Sequence, residues 1–112
     1  NVQIFGTKKS FDSKKAERYF KERGIKYQFV DMKEKGLSKG EFHSVCQAVG
    51  GYEKLIDPKC KDKNLLALVQ YLSEEDKKEK ILENQKIIRT PIVRNGKQAT
   101  VGYEPDVWKD WK

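Results

Sequence analysis

Ser10 and Ser13 stand three residues apart in the stretch IFGTKKSFDSKK, residues 4–15, among the lysines Lys8, Lys9, Lys14 and Lys15. The apolar run Val2, Ile4 and Phe5 stops at Gly6, and a helix is expected to begin near Asp12 or Ser13. Strand, tight turn and helix start aim unpaired backbone N–H groups and the positive end of the helix dipole at one point. Such a point attracts anions, and nearby lysines strengthen its field. In redox sites of this shape the residue at the turn tip is a cysteine, because the same field stabilises a thiolate. Here the tip is Ser10, which can neither form nor exchange a disulfide. A serine hydroxyl is a weak nucleophile without an adjacent general base. Asp12 is the one acid in the turn, and it is better suited to capping the helix. The setting of a thiol site is present and the thiol is absent.

The remaining reactive side chains do not supply the missing chemistry. Cys46 and Cys60 have neither metal-like nor redox-like spacing, so both are expected as free thiols. Cys46 falls on an apolar helix face and reads as a core residue. His43, the only histidine, lies off that stripe, is expected to be exposed and takes no catalytic part. No metal site is expected.

Composition sets wide bounds. The chain of 112 residues suits a single domain with a modest core. It is 37% hydrophobic and 37% charged, polar for a globular protein, but its spread-out aromatics argue against disorder. No apolar run is long enough for a membrane span and no basic-then-apolar leader is present, so the expected home is the cytoplasm. A net charge of +7 favours anionic partners, which leaves oxyanions, nucleic acid, acidic proteins or a plain solvated surface. The lysines are dispersed and form no aromatic-basic stripe or recognition helix, which argues against nucleic-acid binding.

The elements that must position Ser10 follow in order. Residues 2–5 read as a buried strand, and residues 13–23 as a helix with Ala16, Tyr19, Phe20 and Arg23 at helical spacing, ended by Gly24. YQFV, residues 27–30, is a second strand, which completes a right-handed βαβ unit with parallel strands. Ser38 and Glu41 form a capping box for a helix carrying Phe42, Val45, Cys46 and Val49 and ending at Gly50-Gly51. Tyr52 to Lys63 reads as a loop anchored by Leu55 and Ile56, then Leu65 to Leu72 as a helix. Ser73 and Asp76 cap another helix, bearing Ile81 and Leu82 among solvated charges. Ile92-Val93-Arg94 and Gln98–Val101 flank Asn95-Gly96, the strongest hairpin signal in the chain. Pro105, Val107, Trp108 and Trp111 close it with a short amphipathic helix.

A βαβ half followed by a ββα half resembles the thioredoxin/glutaredoxin-like α/β plan, a four-stranded mixed sheet. Its two landmarks would be the turn tip at Ser10 and a Thr-Pro opening a strand, where the missing N–H of proline is tolerated. That resemblance predicts a cis bond between Thr90 and Pro91. The pieces IFGTKKSFDSKKA, KLIDPKCK, RTPIVRNG and VGYEPDVWKDW, in that order and spacing, resemble the arsenate reductase (ArsC) family, which includes the Spx-type regulators. The likeness runs from end to end, as one domain over residues 1–112. A helical insertion of about residues 37–86 between the halves marks the family off from plain glutaredoxins.

The resemblance implies roles position by position. Ser10 falls on the family's nucleophilic cysteine and Ser13 on the second cysteine of its Cys-x-x-Cys variants. Lys9, Lys14, Lys59 and Arg89 become candidate anion ligands, with Lys59 where the family commonly has arginine, and Pro91 matches its cis-proline. Thr90 takes the place of the basic residue usually found before that proline. Lysine lacks the bidentate fork of arginine, which weakens oxyanion recognition at Lys59. The resemblance further implies arsenate reductase-type oxidoreductase ancestry, with no bound cofactor, glutathione or glutaredoxin as thiol donor, and arsenate, phosphate or sulfate as the oxyanion. With serine at position 10 the chain is expected to be redox-inactive, whether the thiol was lost naturally or replaced. A second reading is an Spx-like adaptor for the C-terminal domain of the RNA polymerase α-subunit, with Gly51 at the contact glycine. The simpler role for Gly51 is ending a helix.

Overall fold

The computed structural model describes residues 2–111; Asn1 and Lys112, the ends of the expected domain, lie outside the described residues. Strand β1, Val2–Gly6, pairs in parallel with β2, Tyr27–Asp31, joined by helix α1, Phe11–Glu22. Strands β3, Ile92–Asn95, and β4, Gln98–Val101, form the expected antiparallel hairpin; Asn95 pairs with Gln98, so the turn itself is Gly96-Lys97, with Gly96 at φ 62°. β1 also pairs antiparallel with β3, so the sheet is mixed and its order is β2-β1-β3-β4. This is the thioredoxin/glutaredoxin-like arrangement.

Alternation along the strands divides the core in two. Phe5, Val30 and Ile92 face one side of the sheet, where α2 (Lys39–Val49), α3 (Lys63–Tyr71) and α4 (Glu74–Glu83) bring Phe42, Val45, Val69 and Ile81, and the segment after α2 brings Leu55. Val2, Ile4 and Val93 face the other side, where α1 supplies Ala16, Tyr19 and Phe20 and the one-turn helix α5 (Pro105–Trp108) supplies Trp108. Adjacent strand residues point to opposite faces, so one run of β-branched and aromatic side chains serves both layers. Trp108 is nearly fully enclosed, with Tyr19, Phe20 and Tyr103 rings about it at 5.1–5.5 Å. Its indole N–H donates to Thr100 Oγ1 at 2.7 Å, so the one polar atom of the ring is satisfied.

The insertion follows its caps. Ser38 and Glu41 form the complete capping box, Asp62 caps α3 through Leu65 N–H, and Ser73 caps α4 through Asp76 N–H. The stretch expected as a loop over Tyr52 to Lys63 holds a 3-10 turn at Tyr52–Leu55, and Lys63 already belongs to α3. Gln85 clasps the two ends of the insertion: Leu37 N–H donates to its Oε1 at 2.7 Å, and its Nε2 donates to Leu37 O at 2.8 Å. A side-chain amide thus imitates one rung of a β ladder across a separation of 48 residues.

Candidate functional site at the start of α1

The helix that carries the site starts earlier than the sequence suggests. Ser10 is the N-cap residue, in extended conformation, and its Oγ accepts from Ser13 N–H at 3.3 Å. Asp12, expected as the cap, lies inside the first turn, where its charge still complements the helix dipole. Serine at the turn tip captures the amide three residues on before Asp12 can compete.

Ser13 does not line an open site. It is fully buried, its Oγ accepts from Thr7 N–H at 3.3 Å, and it packs against Gly6. A Cβ built at Gly6 would collide with Ser13 Oγ and lie 2.8 Å from Ser13 Cβ, so glycine lets strand and helix approach this closely. Position 13 therefore staples the turn.

Thr90 closes the site from the opposite direction. The Thr90–Pro91 peptide bond is cis, and Thr90 Oγ1 donates to Ser10 Oγ at 3.3 Å. This link spans 80 residues and joins the start of α1 to the loop that leads into β3. The sequence signals Thr90 only as a missing basic residue; its hydroxyl bond depends on the tertiary approach of two loops.

Some amides of the turn are already engaged. Ser10 N–H donates to Thr7 O, Ser13 N–H to Ser10 Oγ, and Lys14 N–H to Ser10 O. Among the described residues, the N–H groups of Phe11 and Asp12 meet no acceptor. The cradle is narrow: two amides, the Ser10 hydroxyl, and the exposed lysines Lys9 and Lys14. Lys15 is drawn elsewhere, its Nζ 5.0 Å from the Phe11 ring centroid and 5.4 Å from that of Tyr103. Phe11 is 72% exposed beside Ser10. A cation held between two rings is favourable, and this contact ties α1 to the loop after β4.

The other expected ligands are not joined to Ser10. Lys59 is exposed, with its backbone N–H on Asp57 Oδ1 at 2.9 Å, in a loop joined to the segment before Thr90 by the isolated Ile56–Ile88 bridge. Arg89 N–H donates to Leu55 O at 2.7 Å, and its guanidinium lies over Gly102. Among the described residues, no hydrogen bond or ion pair connects Lys59 or Arg89 with Ser10 or Thr90. Arg89 instead lines a cleft of about 320 Å³ that also contains Lys54.

Gly51 lies within the insertion, just after α2, in a cleft of about 510 Å³ that His43, Cys46 and Lys78 also line. Gly50 is left-handed at φ 88°, and both Gly50 and Gly51 N–H groups donate to Cys46 O, which ends α2. Burial pushes the Cys46 thiol above its ordinary range, with Lys78 opposing, and His43 is exposed. Cys60 is also a buried free thiol. Among the described residues no His, Cys, Asp and Glu group could hold a metal ion, and no helix is long and apolar enough to cross a membrane.

Comparison with known proteins bears on the fold and the family. The chain is similar to an arsenate reductase from Vibrio cholerae, at 25% identity and TM-score 0.81, over 95% of this chain and 92% of that one. An ArsC family related protein from Bacteroides fragilis matches at 18% identity and TM-score 0.86, over 99% and 97% of the two chains. SACOL0876 from Staphylococcus aureus matches at 23% identity and TM-score 0.80, over 99% and 98%. No curated protein matches the sequence. The ArsC family model matches residues 5–111, so the β1 turn, the helical insertion and the cis-proline hairpin together make this chain a member of the ArsC family.

Proposed function

We propose that this chain is an arsenate reductase-type ArsC protein that holds a small tetrahedral oxyanion at the start of α1 and performs no thiol chemistry there. The observation that carries the reading is the Ser10–Thr90 hydrogen bond, which sets a hydroxyl where the family's chemistry calls for a thiolate. The Phe11 and Asp12 amides and the charges of Lys9 and Lys14 supply attraction for arsenate, phosphate or sulfate. Reduction of arsenate needs a nucleophile that can leave again as part of a disulfide, and oxygen cannot do this. Glutathione or glutaredoxin would act as thiol donor only for a chain with cysteine at position 10.

The test compares the chain with Ser10→Cys. Arsenate or phosphate should shift the Phe11 and Asp12 amide resonances of both forms. Only the cysteine form should reduce arsenate with glutathione and glutaredoxin, and its thiol should ionise below the ordinary cysteine value of about 8.5. Turnover by the serine form, or an unshifted thiol in the Ser10→Cys form, ends this reading. The adaptor reading gains nothing specific from Gly51, whose geometry is accounted for by the end of α2. Retention of the RNA polymerase α C-terminal domain, lost in Gly51→Arg, would revive it.

A further inference from the structure

β4 is an edge strand: it pairs with β3, and the sheet order ends there. The direction of its free backbone groups follows from one bond. Gly102 N–H donates to Pro91 O at 2.8 Å, continuing the register in which Ile92 faces Val101 and Val93 faces Thr100. Hydrogen-bonded and non-bonded pairs alternate along an antiparallel ladder. Thr100 and Gln98 therefore turn their N–H and C=O groups inward to β3, and Ala99 and Val101 turn theirs outward.

That outward edge is the floor of the 320 Å³ cleft. Val49 and Lys54 border it from the α2 side, and Glu104 and Val107 from the α5 side, while Arg89 reaches it over Gly102. Val107 is 42% exposed. The cleft thus combines main-chain donors and acceptors, apolar walls and two cations against one carboxylate. Although α2 packs against one face of β4, no strand pairs with its outer edge among the described residues, and an edge with these features is a template for strand addition.

The charges choose the occupant. A second copy paired through β4 would bring the basic edge, with Lys54, Arg89 and Lys97, against its own like, in a chain already at +7. A small inorganic anion would leave the outward amides and the Val49 and Val107 walls unused. We infer that the outer edge of β4 docks an extended acidic peptide segment of a partner protein, which adds as a fifth strand and sets a carboxylate between Lys54 and Arg89. This surface is separate from the Ser10 site and does not depend on the oxyanion reading.

The experiment titrates the full chain with a library of acetylated, amidated pentapeptides of alternating valine and threonine whose central residue is glutamate, aspartate or lysine. Amide resonances report the site. Ala99 and Val101 should shift and exchange more slowly with solvent, and the acidic peptides should bind about tenfold more tightly than the lysine peptides. Lys54→Glu should erase or invert that preference. Ala99→Pro should abolish binding while the Phe11 and Asp12 resonances stay in place, since proline is tolerated at an outward edge position. Equal binding of acidic and basic peptides overturns the proposal. So does perturbation away from β4, absence of any saturable shift, or dimerisation through β4 without peptide.

Discussion

The Thr90 hydroxyl donates to the Ser10 hydroxyl across 3.3 Å, so the residue before the cis-proline is bonded to the residue that caps α1. Ser10 Oγ has two donors, Ser13 N–H and Thr90 Oγ1. The position that would hold a nucleophile in a thiol enzyme is here a cap and a bridge between loops.

Ser10→Ala removes both acceptor interactions and should cost about 1 kcal/mol, read as a shift of the urea midpoint at unchanged slope. Ser10→Asp should keep the cap and stay within about 0.5 kcal/mol of the parent, yet lose oxyanion binding, because a fixed carboxylate occupies the cradle. If Ser10→Asp binds phosphate as well as the parent does, the anion site lies elsewhere.

Gln85→Ala opens the clasp on Leu37 and leaves that residue's N–H and C=O without their partner. Loss of this partly buried pair of bonds should destabilise by about 1–3 kcal/mol. Gln85→Glu retains the acceptor and forfeits the donor, so it should fall between the two. Hydrogen exchange should quicken first at Leu37 and in α4. Uniform quickening across the whole sheet would mean that the clasp stabilises the fold rather than closing the insertion locally.

Trp108 and Thr100 form a testable couple. Thr100→Val leaves the indole N–H buried without an acceptor and should cost about 1–3 kcal/mol. Trp108→Phe removes the donor while keeping most of the ring packing. In the double variant both polar groups are gone, so its loss should be smaller than the sum of the single losses by about 1 kcal/mol. Strict additivity would show that the 2.7 Å bond adds nothing in solution.

Asp62 links pH to the start of α3. The Leu65 amide, then Lys86, holds its carboxyl below the ordinary carboxylate range. A depressed value means that the cap's contribution is present above the unfolded-state value of about 3.9 and is lost as pH falls through the lower folded value. Leu65 and Leu66 amides should therefore gain exchange (corrected for intrinsic rates) between about pH 5 and pH 2. Asp62→Asn should keep the cap and flatten this dependence, since asparagine caps without titrating. A pH profile in Asp62→Asn that matches the parent's would assign the effect to other groups.

Local chemistry made most of the elements readable in the sequence. The capping box at Ser38 and Glu41, the Asn95-Gly96 hairpin and the alternating apolar strands each act over a few residues, so their signals are in the sequence. Where two local choices were close in energy the sequence misled: Ser10 and Asp12 both suit an N-cap, and the helix begins with Ser10. The same holds for Tyr52–Leu55, whose 3-10 turn has no strong period of its own.

The site divides along the same line. Residue types and spacing determined that a serine stands at the turn tip, that lysines surround it, and that a proline opens β3. Which of these groups meet was decided by packing alone. Folding brought Thr90 to Ser10 over 80 residues, sank Ser13 against Gly6, drew Lys15 between two rings and sent Arg89 to the cleft with Lys54. A side chain's partner across the fold depends on how sheet, helices and loops stack, and distances of a few ångströms between remote segments leave no mark on either segment's own sequence.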